Sequence, residues 1–141
     1  MLDRLRVLIA DDNPAMLETI RDVLKDEFQV VAALEKPEAV VSSVPQLRPD
    51  VVVLDISMGE MNGFEVTRQL KYEACVSKIV FLTVHEELEF IQAAFDAGAS
   101  GYVFKSRMNT DLCSAINAVH AGKVFIPEAP IIQFSPDREM T

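Results

Sequence analysis

Asp11, Asp12 and Asp55, with Thr83 and Lys105, are the side chains of this 141-residue sequence that could share one piece of chemistry. Three carboxylates forced together repel and raise one another's pKa. A divalent cation and the ammonium of Lys105 would cancel their combined charge. The ion that fits is Mg²⁺, which is hard, takes oxygen ligands, retains waters and is completed by a phosphate oxygen. An aspartate can act as a nucleophile toward phosphorus and become an aspartyl phosphate. Cation, lysine and threonine hydroxyl would then stabilise charge on the oxygens of the transferring group, which is most of what catalysis of that transfer requires.

Such residues lie far apart in sequence, so the elements between them must gather them. Short apolar runs alternate with helical patterns five times over. Residues 5–10 read as a first strand, and 14–26 as a helix with Met16, Leu17, Ile20, Val23 and Leu24 on one face. Asp12 or Asn13 would cap that helix, and Pro14 suits its first turn. A second strand over 28–34 leads to a helix marked by Val40, Val44 and Leu47, where Pro45 would end the helix early or distort it. The continuous apolar run Val51-Val-Val-Leu54 suits a central strand covered on both faces.

Asn62-Gly63 alone would suggest a hairpin, but residues 64–71 carry a third helical pattern instead. A fourth strand over 78–83 and a helix marked by Leu88, Ile91, Ala94 and Phe95 follow, the helix closed by Gly98. A short strand over 102–104 precedes the last helix, marked by Leu112, Ala115, Ile116 and Val119 and closed by Gly122. Five strand-then-helix units imply an α/β fold, a doubly wound parallel sheet with helices on both faces. In such a sheet the ends of strands one, three, four and five share one edge, the carboxyl edge where ligands bind. Asp11, Asp12, Asp55, Thr83 and Lys105 each stand at or just past one of those ends.

Composition narrows the partners. Thirteen basic against 22 acidic residues give a charge of −9, which disfavours direct contact with nucleic acid or anionic membranes. Half of the residues are hydrophobic, enough for one core. The sequence has no apolar run long enough to span a membrane, and its charged start does not read as a signal peptide. Cys75 and Cys113 form no ligand cluster and read as reduced thiols, so the chain is expected in the cytoplasm. Residues 1–127 read as one domain. Residues 128–141 read as a linker or disordered tail, which could lead to a DNA-binding domain outside this sequence.

Four fragments, in this order, resemble the receiver domains of two-component response regulators. Asp11-Asp12-Asn-Pro is similar to their acidic pair, and Leu54-Asp55-Ile-Ser-Met-Gly-Glu-Met-Asn-Gly63 to their phosphoacceptor loop. Leu82-Thr83-Val-His and Ala97-Gly-Ala-Ser-Gly-Tyr-Val-Phe-Lys105 are similar to the segments carrying their switch threonine, switch aromatic and lysine. The resemblance covers roughly residues 5–125. It implies the flavodoxin-like strand order 2-1-3-4-5, with Asp55 as phosphoacceptor. It also implies Mg²⁺ on Asp11, Asp12, Asp55 and the backbone carbonyl of Ser57. Thr83 and Lys105 would bind phosphoryl oxygens, Tyr102 would rotate into the space beside strand four that Thr83 vacates, and Ser57 and His85 would tune the phosphoryl lifetime.

Two departures stand out: Gly59 where the family usually has proline, which would loosen the loop, and Ser106 where many members have proline. With Ala121-Gly-Lys-Val-Phe-Ile-Pro127, the second departure resembles the transcription regulators named after NarL and LuxR. The implied partners are a cognate histidine kinase, a second copy on phosphorylation, and DNA only through a separate C-terminal domain. The implied surface lies on the fourth helix, fifth strand and fifth helix, where Ala93, Ala94, Ala97 and Gly98 offer small side chains. The alternative is a stand-alone receiver acting on a protein partner.

Plainer readings exist for each residue. Asp12 could be only a helix cap, Thr83 a satisfied strand-end hydroxyl, Lys105 a solvated lysine and Tyr102 a packing residue. His120, near the end of the last helix, fits the dipole there. An aspartate-nucleophile phosphatase would need an Asp-x-Asp pair after the first strand, with its second aspartate as general acid. In this sequence Ser57 stands two residues after Asp55, and Asp55 follows the third strand. A flavin-binding module would need a phosphate-cradling loop where Asp11-Asp12-Asn13 stands. An interaction module that no longer accepts phosphate would not need all five key residues. The reading is therefore of a signalling phosphoacceptor that assists only its own phosphorylation and dephosphorylation, and not of an enzyme acting on other substrates.

Overall fold

The computed structural model describes residues 3–59 and 61–128. Five strands, β1 (Arg6–Ala10), β2 (Gln29–Leu34), β3 (Val51–Leu54), β4 (Lys78–Thr83) and β5 (Gly101–Phe104), form one parallel sheet in the order 2-1-3-4-5. The crossovers are α1 (Pro14–Leu24), α2 (Pro37–Leu47), α3 (Gly63–Tyr72) and α4 (Leu88–Ala97), and α5 (Met108–His120) follows β5.

Alternation along the strands divides the core in two. Val7, Ile9, Val51, Val53, Leu82 and Val103 pack with Leu17, Ile20, Leu24, Leu112, Ile116 and Val119 of α1 and α5. Leu8, Val52, Leu54, Ile79, Phe81 and Tyr102 face Val40, Val44, Val66, Leu70, Ile91 and Ala94 of α2, α3 and α4. β3 is buried throughout, as its unbroken apolar run requires.

Local signals explain most boundaries. Asn13, and not Asp12, caps α1, its side chain accepting from the N–H groups of Ala15 and Met16. Asn62 and Glu65 form a reciprocal capping box, which is why Asn-Gly opens α3 and does not turn a hairpin. Gly98, at φ 116°, closes α4 in a left-handed conformation suited to glycine.

Pro45 does not end α2, contrary to the sequence expectation; the helix runs on to Leu47. The proline ring is exposed, and only one turn remains after the bond that proline cannot donate. Arg48 N–H still bonds the Val44 carbonyl, while the Arg6 guanidinium bonds the carbonyls of Leu47 and Arg48 at 2.7 and 3.0 Å. The helix end is thereby satisfied. Past α5, Phe125 joins the edge of β5 beside Gly101, an addition too short to show a sequence period. No helix among the described residues is long and apolar enough to cross a membrane. The tail expected over 128–141 lies outside the described residues from 129 onward.

Candidate functional site

Parallel register brings the acidic residues together. Ala10 pairs with Leu54, so Asp11 and Asp55 leave neighbouring strands side by side. Asp55 N–H bonds the Ala10 carbonyl at 3.2 Å, and Asp11 N–H bonds the Leu34 carbonyl at 3.1 Å. Asp11 is 1% and Asp55 6% exposed, whereas Asp12 stands in solvent at the rim. One carboxylate oxygen from each of the three lies within 4.8 Å of the others.

Lys105, the first residue beyond β5, reaches back across the edge. Its Nζ is 2.7 Å from Asp11 Oδ2 and 3.0 Å from Asp55 Oδ2. The contact with Asp11 Oδ2 is a close, buried ion pair, and among the described residues Lys105 is the polar partner of that oxygen. Asp55 Oδ1 accepts from the Ile56 N–H at 2.7 Å.

One lysine does not balance three carboxylates. Burial pushes the Asp55 carboxyl above its ordinary range, the charge of Asp11 adds to this, and Lys105 and the Ile56 N–H oppose it without cancelling it. Burial alone would lower the Lys105 ammonium, but its contacts with Asp11 and Asp55 outweigh that and raise it. A cluster of three carboxylates, hard oxygen donors with residual negative charge, fits a hard divalent ion. No nitrogen or sulfur ligand belongs to the cluster among the described residues.

Thr83 ends β4 fully buried, and its Oγ1 accepts from the His85 N–H at 3.3 Å. Tyr102 is also fully buried, so its ring already lies inside where a rotation inward was expected, and its hydroxyl donates to the His85 carbonyl at 2.8 Å. Burial, with Glu87, Asp55 and Glu86 nearby, pushes the Tyr102 phenol upward and keeps it a donor. Ser57 is exposed on the loop after Asp55, and its hydroxyl lies 3.3 Å from His85 Nε2. The imidazole of His85 stacks on Phe90, with ring centres 4.3 Å apart and planes 17° from parallel.

Other residues singled out in the sequence do not join the cluster. His120 is exposed at the far end of α5 and does not join the cluster. Ala94 and Ala97 are buried, Ala94 in the core that faces the sheet, so they do not form the surface expected on α4, whereas Ala93 and Gly98 are partly exposed; only one side of a helix can face outward. Cys75 and Cys113 are unpaired. Gly59 has φ 91°, which proline cannot adopt, so its presence follows from the backbone path of the loop.

Two contributors went unread in the sequence. A Cβ on Gly63 would collide with the Asp55 carbonyl oxygen and come within 2.7 Å of the Phe81 ring. The Gly63 N–H bonds the Ile56 carbonyl at 2.7 Å, so the start of α3 packs directly under the Asp55 loop. The Asn-Gly pair carried that signal but reads equally as a turn. Phe90 is the second, since apolar spacing assigns it only to a helix.

The family model described as the response regulator receiver domain matches residues 7–117. A nitrate/nitrite response regulator protein homolog of Haemophilus influenzae is 33% identical over 92% of this chain, and the chain spans 63% of that relative's length. The crystal structure of a two-component response regulator of the LuxR family from Aurantimonas is similar at 30% identity and TM-score 0.85, over 97% of this chain and 98% of that one. The isolated REC domain of RcsB from Salmonella enterica, in the presence of the phosphomimetic BeF3⁻, is similar at 30% identity and TM-score 0.81, over 89% and 95%.

Proposed function

This chain belongs to the receiver domains of two-component response regulators, and on that premise we propose that it is switched by transfer of a phosphoryl group from a histidine kinase onto Asp55, with Mg²⁺. The observation that carries this reading is Asp55 itself. Its carboxylate is buried beside two others, with Lys105 alone among the described residues to offset their charge.

Asp11, Asp12, Asp55 and the backbone carbonyl of Ser57 would hold the Mg²⁺, which when bound neutralises charge on the carboxylates and on the phosphoryl oxygens. A carboxylate oxygen of Asp55 attacks phosphorus, the bond from phosphorus to the kinase histidine breaks, and the leaving imidazole takes up a proton. Lys105 needs only to turn from the two carboxylates toward the new oxygens, where its charge opposes the added negative charge. Gly63 keeps the Asp55 loop seated on α3 during the exchange.

The Thr83 hydroxyl then bonds a phosphoryl oxygen and releases the His85 N–H. Tyr102 leaves its bond to the His85 carbonyl and rotates, which changes the surface made by α4, β5 and α5. That the related RcsB receiver was studied in the presence of the phosphomimetic BeF3⁻ supports a phosphoryl-sized anion as ligand. Since the chain spans between half and two thirds of the H. influenzae homolog and of the regulator DegU from Brevibacillus brevis, the output is part of the proposal. We read it as control of transcription in the cytoplasm, through a dimer and a separate DNA-binding domain.

Incubation with acetyl phosphate and Mg²⁺ tests the core of this reading. Intact mass should show one added phosphoryl group that is acid-stable and base-labile, absent in Asp55→Asn and in excess chelator. Unchanged labelling of Asp55→Asn would overturn it.

A further inference from the structure

We propose that Phe90, in the first turn of α4, is a positioning residue that sets the lifetime of the aspartyl phosphate by holding the His85 ring against Ser57. The inference rests on the reading of Asp55 as phosphoacceptor. Ser57 lies two residues past Asp55, and His85 two residues past Thr83, on loops that leave adjacent strands of the sheet. The contact between their side chains, 3.3 Å from hydroxyl to Nε2, therefore bridges the two loops flanking Asp55.

That bridge cannot hold by itself. It is long for a hydrogen bond, Ser57 is exposed and His85 half-exposed, so water competes for both ends. The stack on Phe90 supplies what the bond lacks, an apolar face that fixes the plane of the imidazole. Phe90 is itself fixed, stacking on Phe64 with centres 6.4 Å apart, and Phe64 meets Phe81 of β4 edge to face at 5.5 Å. A column of rings thus runs from the sheet through α3 to the first turn of α4 and ends on His85.

Hydrolysis of the aspartyl phosphate needs a water opposite the Asp55 oxygen. The water oxygen bonds phosphorus, the bond from phosphorus to Asp55 breaks, the carboxylate is regenerated and the water proton leaves with phosphate or solvent. A ring held across the two loops narrows that approach, and a free ring opens it. Because Phe90 belongs to α4, anything that grips or shifts the start of α4 changes the hydrolysis rate.

The experiment labels parent, Phe90→Leu, Phe90→Tyr, His85→Ala and the Phe90→Leu/His85→Ala double variant with acetyl phosphate and Mg²⁺. The donor is then removed and loss of the phosphoryl group followed by intact mass. NMR of the His85 ring protons in each unphosphorylated protein that retains His85 reads the stack directly. Phe90→Leu should decay several-fold faster than parent, with the ring protons moving downfield as the stacked ring is lost. Phe90→Tyr should restore both readouts, and Phe90→Leu should add nothing when His85 is already alanine. Phe90→Met, which fills the volume without a ring, repeats the test if leucine does not fold. Parent-like decay in Phe90→Leu overturns this inference alone, as does an equal acceleration in the His85→Ala background. A parent chain that takes no phosphoryl group overturns the reading of Asp55 and this inference with it.

Discussion

Replacing Asp55 by asparagine should make the folded chain more stable at neutral pH when divalent ions are removed. The Asp55 side chain is 8% exposed, and burial and Asp11 raise its carboxyl above the ordinary 3.8 despite Lys105. A carboxyl raised in the folded state binds its proton more tightly there than in the unfolded chain. Its stabilising contribution is therefore complete below 3.8 and is lost as pH rises through the folded value. Above the folded value the contribution is gone, at about 1.4 kcal/mol for each unit of elevation. Asparagine removes the charge while its oxygen can still accept from the Ile56 N–H and Lys105. We expect a gain of about 1 kcal/mol, or roughly 3–4 °C in Tm for a chain of this size.

Urea titrations in chelator, at pH 7 and near pH 4, measure this directly, and the gain should shrink at the lower pH. Mg²⁺ should reverse the ranking, because an ion that binds only the folded parent at ten times its Kd adds about 1.4 kcal/mol. A less stable Asp55→Asn at pH 7 in chelator would refute the reasoning, since the ion pair with Lys105 would then outweigh burial and repulsion.

Gly63→Ala should cost about 1–3 kcal/mol by crowding the Asp55 carbonyl, read from the urea midpoint, and should slow phosphorylation by acetyl phosphate. Thr83→Ala should still accept a phosphoryl group on Asp55 but lose most of the accompanying change in dimerisation, measured by sedimentation; parent-like dimerisation would rule out this coupling route. Replacing Ser57 and His85 together with alanine should change the decay half-life several-fold while labelling stays complete, and an unaltered half-life would mean that neither side chain lies on the path of water.

The strands were legible because their apolar runs are short and bounded: β3 and β4 begin and end where the residue pattern places them. That Asp11, Asp12, Asp55 and Lys105 would meet was legible for a related reason, since a parallel sheet sends every strand end to one edge. Sequence could not reveal what contact alone creates. Gly63 matters for the carbonyl beneath it, Gly59 for its φ, and Phe90 for the imidazole on its face. Pro45 misled because a helix-breaking residue costs little when exposed one turn from an end that Arg6 caps from another element. Ala94 and Ala97 misled because small residues look alike whether they face a partner or the interior.

The peptide groups of His85 hold both of the side chains expected to move: its N–H is bound to Thr83 Oγ1, and its carbonyl to the Tyr102 hydroxyl. On the proposed reading this is a latch with a single keeper. Two neutral hydrogen bonds contribute together about 1–3 kcal/mol. By themselves they would hold the resting form at a ratio of roughly five to 150 to one. A latch of that strength sets the background of the signal: on the order of one molecule in five to 150 would sit in the active form with no phosphoryl group bound. The same modest strength makes the switch responsive, because one well-placed anion can open it. Sensitivity and silence are thus traded against each other at one residue, and substitutions that tighten the hold on His85 should quiet the resting chain while demanding more of the phosphoryl group.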